Sequence, residues 1–150
     1  MSSRTYTSRR NAIVQSLVTL LKTIDGGTAF RSNLNNNVVG RLMFWDEVED
    51  FPSAHLSAGA ETRQYQGAGY KDRFLVVTIR VYVNTENAND ALEALMEDIE
   101  TVIEDNNRLA YTDRDGNEQF TQLISIVSID TDEGVLEPLG IGELICEVRY

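Results

Sequence analysis

Residues 74–83 constrain the fold most, because their side chains alternate as only an extended strand would place them. One side of this strand carries aliphatic residues: Leu75, Val77, Ile79, Val81 and Val83. The other side carries Phe74, Val76, Thr78, Arg80 and Tyr82. Successive side chains of a strand point to opposite faces of its sheet, and both sides here are largely apolar, so we expect both faces to be covered.

Two amphipathic helices are predicted, one before this strand and one after it. The first begins after Thr7 or Ser8, either of which can cap it, and its apolar stripe is formed by Ile13, Leu17, Leu20, Leu21 and Ile24. The second begins after Asn87 or Asn89, and its stripe is formed by Leu92, Leu95, Met96, Ile99, Val102 and Ile103. Each stripe can cover part of one sheet face.

Other parts of the chain also have the pattern of strands. They are residues 38–45, 52–58, 123–129 and 143–150, with two short apolar pieces around a turn at 113–117. Residues 59–72 are expected to form an extended hairpin or a projecting loop. This order predicts an α+β fold in a single domain over residues 1–150, with a mainly antiparallel sheet and two helices packed on one face. We expect a short basic arm at residues 1–7 to be flexible.

The chain is strongly acidic. Thirteen Lys and Arg residues stand against 24 Asp and Glu, which gives a formal net charge of −11. Tight binding to nucleic acid depends on cations that displace counterions, so this balance argues against a DNA- or RNA-binding protein and against binding to an anionic membrane. The single cysteine and single histidine exclude an internal disulfide and a multi-histidine metal centre within one chain.

The second predicted helix carries much of this charge. Residues 86–105 contain eight Asp or Glu and no Lys or Arg, whereas residues 1–24 contain four basic residues and no acidic one. A solvated outer face is the ordinary explanation. The charge split would also let the two regions attract each other across a subunit boundary.

The sequence offers little for catalysis. A carboxylate-dependent hydrolase that uses Mg²⁺ is a less favoured alternative, because no base, nucleophile or phosphate-binding motif accompanies the acidic residues. His55 is expected to be an exposed or half-buried strand residue, Cys146 a core residue, and Trp45 a core or interface residue. A small-ligand binding module is a third possibility without positive support. We therefore expect no enzyme activity, no metal and no cofactor.

The predicted strand at residues 74–83 leaves apolar surface that the two helices do not cover. Phe74, Val76 and Tyr82 would be exposed on the second face of the sheet unless a partner covers them. Exposed apolar surface of this extent indicates association between protein chains. We therefore expect the chain to form oligomers.

The layout of the chain is distinctive as a whole. An N-terminal helix is followed by residues 51–54, which lead to Gly59 and Glu61, then by residues 73–83, the acidic helix, residues 128–134 and 138–142, and a strand ending in Tyr150. In this order the chain resembles the tail terminator, or tail-completion, proteins of long-tailed bacteriophages over nearly its whole length. The stretch from residue 33 to residue 72 is longer than in compact members of that family.

The resemblance implies a structural virion protein of the tail neck region, assembled in the host cytoplasm. Such a protein forms a ring, commonly of six copies, at the head-proximal end of the tail, stops tube growth and offers a docking surface to the head connector. The implied partners are copies of itself, the tail tube protein and a head-completion or connector protein, and DNA passes through the ring without specific binding. The alternative within the virion is another neck component or a tail-tube-like protein.

Subunit or partner contacts are expected in three places. They are residues 1–10 with Arg4, Arg9 and Arg10, the projecting segment at residues 59–72 with Tyr65 and Tyr70, and the second sheet face with Phe74, Val76, Arg80 and Tyr82.

Overall fold

A computed structural model of the chain describes residues 7–27, 30–34 and 36–150. Its helices are α1 (Arg9–Leu21) and α2 (Ala88–Glu104). Its strands are β1 (Val38–Val39), β2 (Ser53–Tyr65), β3 (Lys71–Asn84), β4 (Ala110–Thr112), β5 (Glu118–Phe120), β6 (Leu123–Thr131) and β7 (Leu139–Arg149). Neither helix of the described residues has the length and apolarity that a membrane crossing requires.

The main sheet has five strands in the order β1-β2-β3-β7-β6. β1 runs parallel to β2, and every other neighbouring pair is antiparallel. β4 and β5 form a separate hairpin around the predicted turn at residues 113–117. The predicted α+β fold with a mainly antiparallel sheet is confirmed.

Both helices pack on one face of this sheet, which we call the inner face. The odd-numbered aliphatic residues of β3 are buried there, as are Leu144, Cys146 and Val148 of β7. The apolar stripes of α1 and α2 lie in the same hydrophobic core, in which Ile13, Leu17, Leu92 and Ile99 are fully buried. The alternation of residues 74–83 therefore divides the sheet into a helix-covered face and an opposite, outer face.

The predicted strand at residues 38–45 is wrong beyond its first two positions. Val38 and Val39 pair with β2, and the chain then turns across the end of the outer face, where the hydroxyl of Tyr82 donates to the carbonyl of Met43. Trp45 lies in a short 3-10 turn, Trp45–Glu47, and is 57% exposed, so the core alternative for this residue is wrong. His55 is on a strand as predicted, but this loop helps to bury it almost completely.

Strands β2, β3, β6 and β7 are longer than the sequence predicts. β2 continues through residues 59–65 and forms, with β3, the extended hairpin that was one of the two expectations for this segment. β7 begins at Leu139 and not at residue 143, because Gly140 and Gly142 are strand residues that lie beneath α2. A Cβ atom on Gly140 would lie 3.3 Å from the Cβ of Ala88, so the missing side chain allows the helix to approach the sheet.

Candidate interaction surfaces

The helices leave the outer face of the sheet uncovered. Its half-buried residues in β3 and β7 include Phe74, Val76, Thr78, Arg80, Ile141, Glu143, Ile145 and Glu147. Within the described residues, the loop at 40–50 covers one end of this face. A sheet with helices on one face and mixed apolar and polar side chains on the other can pack against a second protein.

The predicted contact residues on this face differ in accessibility. Phe74 and Val76 keep accessible surface, and Arg80 pairs with Glu143 of β7, with 2.9 Å between Arg80 Nη2 and Glu143 Oε2. The Arg149 guanidinium carbon lies 5.5 Å from the centroid of the Phe74 ring. Tyr82 is on the outer face as expected but is only 2% exposed, because the 40–50 loop covers it. Tyr82 therefore offers little surface to a partner in the conformation described here.

The β2–β3 hairpin projects two tyrosines into solvent. Tyr65 and Tyr70 flank the turn at Gly67–Gly69 and are 72% and 73% exposed. The Lys71 ammonium lies 5.6 Å from the centre of the Tyr65 ring. Exposed tyrosines on a projecting hairpin are suited to protein contacts, because they offer a large contact area at a small cost in side-chain entropy.

The stem of this hairpin brings together arginines that are far apart in the sequence. We call Arg9, Arg10, Arg63 and Arg73 the arginine cluster; with Tyr150 and residues 113–115 they line an open pocket of about 530 Å³. The guanidinium carbons of Arg9 and Arg73 lie 5.4 and 5.3 Å from the centroid of the Tyr150 ring. Arg9 also donates to the Tyr111 hydroxyl at 2.8 Å. Arg4, the third predicted contact residue of residues 1–10, lies outside the described residues.

The buried carboxylate of Glu61 pairs with two arginines of the cluster, and Asp113 lies close enough to Arg9 to interact with its charge. The side chain of Glu61 is 4% exposed and accepts hydrogen bonds from the Tyr150 hydroxyl and, at 2.6 Å, from Arg63 Nε. Arg10 Nε lies 4.0 Å from the same carboxylate. Burial alone would raise the pKa of Glu61, but these hydrogen bonds and the charges of Arg63 and Arg10 hold that pKa below its ordinary value. Glu61 therefore stays ionised and fixes two of the arginines.

The sequence analysis predicted neither the arginine cluster nor the loop that replaces the predicted strand. We call residues 42–50 the acidic loop; it exposes Phe44 (70%) and Trp45 (57%) beside the carboxylates of Asp46, Glu47, Glu49 and Asp50. The acidic run is visible in the sequence. The exposure of the two aromatic rings follows from the early end of β1, which no local pattern indicated.

The remaining titratable groups have structural roles. Asp98 of the acidic helix is buried and accepts from the backbone N–H groups of Arg31 and Ser32, at 3.0 and 2.8 Å. Cys146 is buried, and burial raises the pKa of its thiol to about 12. No group of three or more His, Cys, Asp or Glu residues converges as a metal site within the residues that the structure describes.

The fold and these surfaces define a structural protein that works through contacts with other proteins. The chain belongs to the bacteriophage tail tube terminator protein family, whose sequence model matches residues 7–150. The chain is thus a structural component of a phage tail and not an enzyme, and the hydrolase alternative is wrong.

One relative and one solved structure illustrate the range of similarity. The chain is 35% identical to the tail tube terminator protein of Escherichia phage T5, in an alignment that covers 94% of this chain and 92% of that protein. A chain from the virion of a native gene transfer agent particle has the same fold, with a TM-score of 0.52 and 12% identity over 97% of this chain and 98% of that one.

Proposed function

We propose that copies of this chain close into a ring at the head-proximal end of the tail, where the ring ends the growth of the tube and offers a docking surface to the head connector. Six copies form this ring, as the family resemblance implies. The T5 relative, by its name, terminates a tail tube. Its extensive identity with this chain supports the same role here.

The uncovered outer face of the sheet carries the proposal. Phe74, Val76, Ile141 and Ile145 lie on a face that the helices cannot reach, since both helices lie on the inner face. The Arg80–Glu143 ion pair separates Ile141 from the other three. A neighbouring copy would remove this surface from water, and each Å² of apolar area buried in this way stabilises the assembly by roughly 25 cal/mol before the cost of association. A surface that contacts a different surface on the next copy generates a ring when the rotation closes.

The acidity of the chain fits a ring through which DNA moves. A wall with excess carboxylates repels phosphate, and cations that could hold DNA by displacing its counterions are outnumbered. We therefore expect the assembled ring to show no measurable affinity for duplex DNA at physiological salt.

Tube assembly in the presence of the purified protein tests the proposal. Tail tube subunits are polymerised with increasing amounts of this chain, and tube lengths and ends are recorded by negative-stain electron microscopy. The expected result is shorter tubes with extra density at one end. Tubes of unchanged length with bare ends would contradict tube termination, and density along the tube walls would instead indicate a tube-like protein.

A further inference from the structure

We propose that the arginine cluster of one copy receives the acidic loop of the neighbouring copy, so that the contact joins opposite ends of the sheet. This inference rests on the proposed ring and names the residues that form its subunit contact. One side of the contact is the arginine cluster with its tyrosine ring. The other side is the acidic loop, which carries carboxylates and aromatic rings.

The arginine cluster contains more positive charge than its neighbouring carboxylates neutralise: Glu61 pairs with Arg63 and Arg10, and Asp113 and Asp115 line the same pocket. Arg63 and Arg73 are directly opposite each other in the β2–β3 pair, where two like charges destabilise the pairing. Arg9 and Arg10 form the first turn of α1, which contains no acidic residue, although the helix dipole disfavours cations there. Two independent local costs at one place indicate that the cluster is suited to an anionic partner.

The cluster is also held in position before any partner binds. Glu61 pairs with Arg63 and Arg10, and the guanidinium groups of Arg9 and Arg73 both contact the Tyr150 ring. Side chains that are already ordered lose less entropy when they bind, so more of the interaction energy appears as affinity. The pocket above them is open to solvent and has room for side chains of a partner.

The acidic loop has the matching chemistry. Its four carboxylates form no ion pair with any residue in the described part of the chain, and its two aromatic side chains are mostly exposed. Carboxylates pair with arginine guanidinium groups, and aromatic rings stack on them. The exposed acidic residues of α2 are the other candidate ligand, but that helix contains no aromatic residue.

The positions of the two surfaces suit a ring. The acidic loop lies at the Ser53 and Tyr82 end of the β2–β3 pair, whereas Arg63 and Arg73 lie ten residues further along β2, a distance of roughly 30 Å. Surfaces at opposite ends of one molecule cannot meet within a copy, so they join successive copies head to tail. Because the loop lies on the outer face, a neighbour that binds it would also cover part of that face.

Two charge-reversed variants and their mixture test the contact. Arg73→Glu reverses one position of the cluster without changing an ion pair of Glu61, and the double variant Asp46→Lys/Glu49→Lys reverses the loop. Lys22→Glu and Glu93→Lys are matched controls at exposed positions outside both surfaces. Mass is measured by native mass spectrometry and sedimentation velocity, and circular dichroism melting verifies that each variant folds. Arg73→Gln is a milder second variant.

We expect each charge-reversed variant alone to assemble at least about tenfold more weakly than the wild type, and the controls to assemble normally. In an equimolar mixture, every contact of an alternating ring pairs opposite charges, so the mixture should recover the wild-type mass. If the wild type assembles but the mixture does not, or if the single variants assemble normally, the proposed contact is wrong. The proposal that the chain forms a ring would still stand. A wild type that stays monomeric would overturn both.

Discussion

The Tyr150 hydroxyl donates a hydrogen bond to the Glu61 carboxylate, and this bond ties the residue after β7 to the stem of the β2–β3 hairpin. Both side chains are almost fully buried, and the bond lies directly beneath the arginine cluster. Burial, with a further contribution from this hydrogen bond, raises the pKa of Tyr150 to about 12. The phenol therefore remains a donor at neutral pH.

Removal of this hydroxyl should destabilise the chain. Tyr150→Phe leaves the buried Glu61 carboxylate with one donor fewer, so we expect the free energy of unfolding to fall by about 1–2 kcal/mol. Urea unfolding followed by circular dichroism measures the change. Tyr70→Phe, at a residue that is 73% exposed, is the control and should have no effect. Equal stability of Tyr150→Phe and wild type would show that the bond contributes nothing.

His55 makes the stability of the folded chain depend on pH. Burial lowers the pKa of His55 below 6.5, and the charges of Arg41 and Arg80 lower it further. The folded state therefore disfavours the protonated ring. The contribution of neutral His55 to the free energy of unfolding is fully present above pH 6.5 and is lost as the pH falls through the pKa of the folded state.

Two measurements check this prediction. Because the chain has one histidine, a single imidazole resonance reports its titration by NMR, and its midpoint should lie below 6.5. The wild type should lose more stability than His55→Gln between pH 7.5 and pH 5.5. A midpoint at or above 6.5 would contradict the assigned environment.

Gly140 is predicted to be intolerant of any side chain. A Cβ atom there would lie 2.7 Å from Val83 Cγ2 and 3.4 Å from the carbonyl oxygen of Ala88, so the Val83 side chain would have to shift and α2 would have to give slightly. We expect Gly140→Ala to cost about 1–3 kcal/mol in the free energy of unfolding. Gly67→Ala in the hairpin turn is the control, since no atom lies within 4 Å of its Cβ position. Similar melting temperatures for the two variants would contradict this packing.

The regular parts of the fold were predictable because local patterns determine them. The alternation in residues 74–83 and the stripe in α2 both correspond to buried side chains. The early end of β1 was not predictable, since Val38 and Val39 stand at a sheet edge and apolar residues after them turn across the outer face. The glycines of β7 resembled a turn because their reason, the closeness of α2, is a tertiary contact.

The interaction surfaces were predictable only in part. Tyr65 and Tyr70 are exposed on a hairpin, as their polar, glycine-containing surroundings suggested. The arginine cluster combines Arg9 and Arg10 with residues more than 50 positions further along the chain, and only the register of β2 with β3 places Arg63 opposite Arg73. Long-range register of this kind is not encoded in any single segment.

Asp98 is predicted to stabilise the chain although it belongs to an acidic helix. Its carboxylate accepts from two backbone N–H groups, of Arg31 and Ser32, and Arg31 Nε lies 3.7 Å from it. Asp98→Ala would leave both N–H groups without this acceptor, so we expect a loss of about 1–3 kcal/mol in urea unfolding. Glu97→Ala removes a neighbouring exposed carboxylate and should cost no more than about 1 kcal/mol. A smaller loss for Asp98→Ala than for Glu97→Ala would refute this role.

Assembly through the outer face of the sheet is tested most directly by a charge placed on that face. Val76→Glu is compared with the wild type and with Thr101→Glu, a control on the exposed side of α2, by sedimentation velocity at micromolar concentration. We expect a closed oligomer for the wild type and for Thr101→Glu, and a folded monomer for Val76→Glu. A wild type that sediments as a monomer, or a Val76→Glu variant that assembles as the wild type does, would contradict assembly through this face.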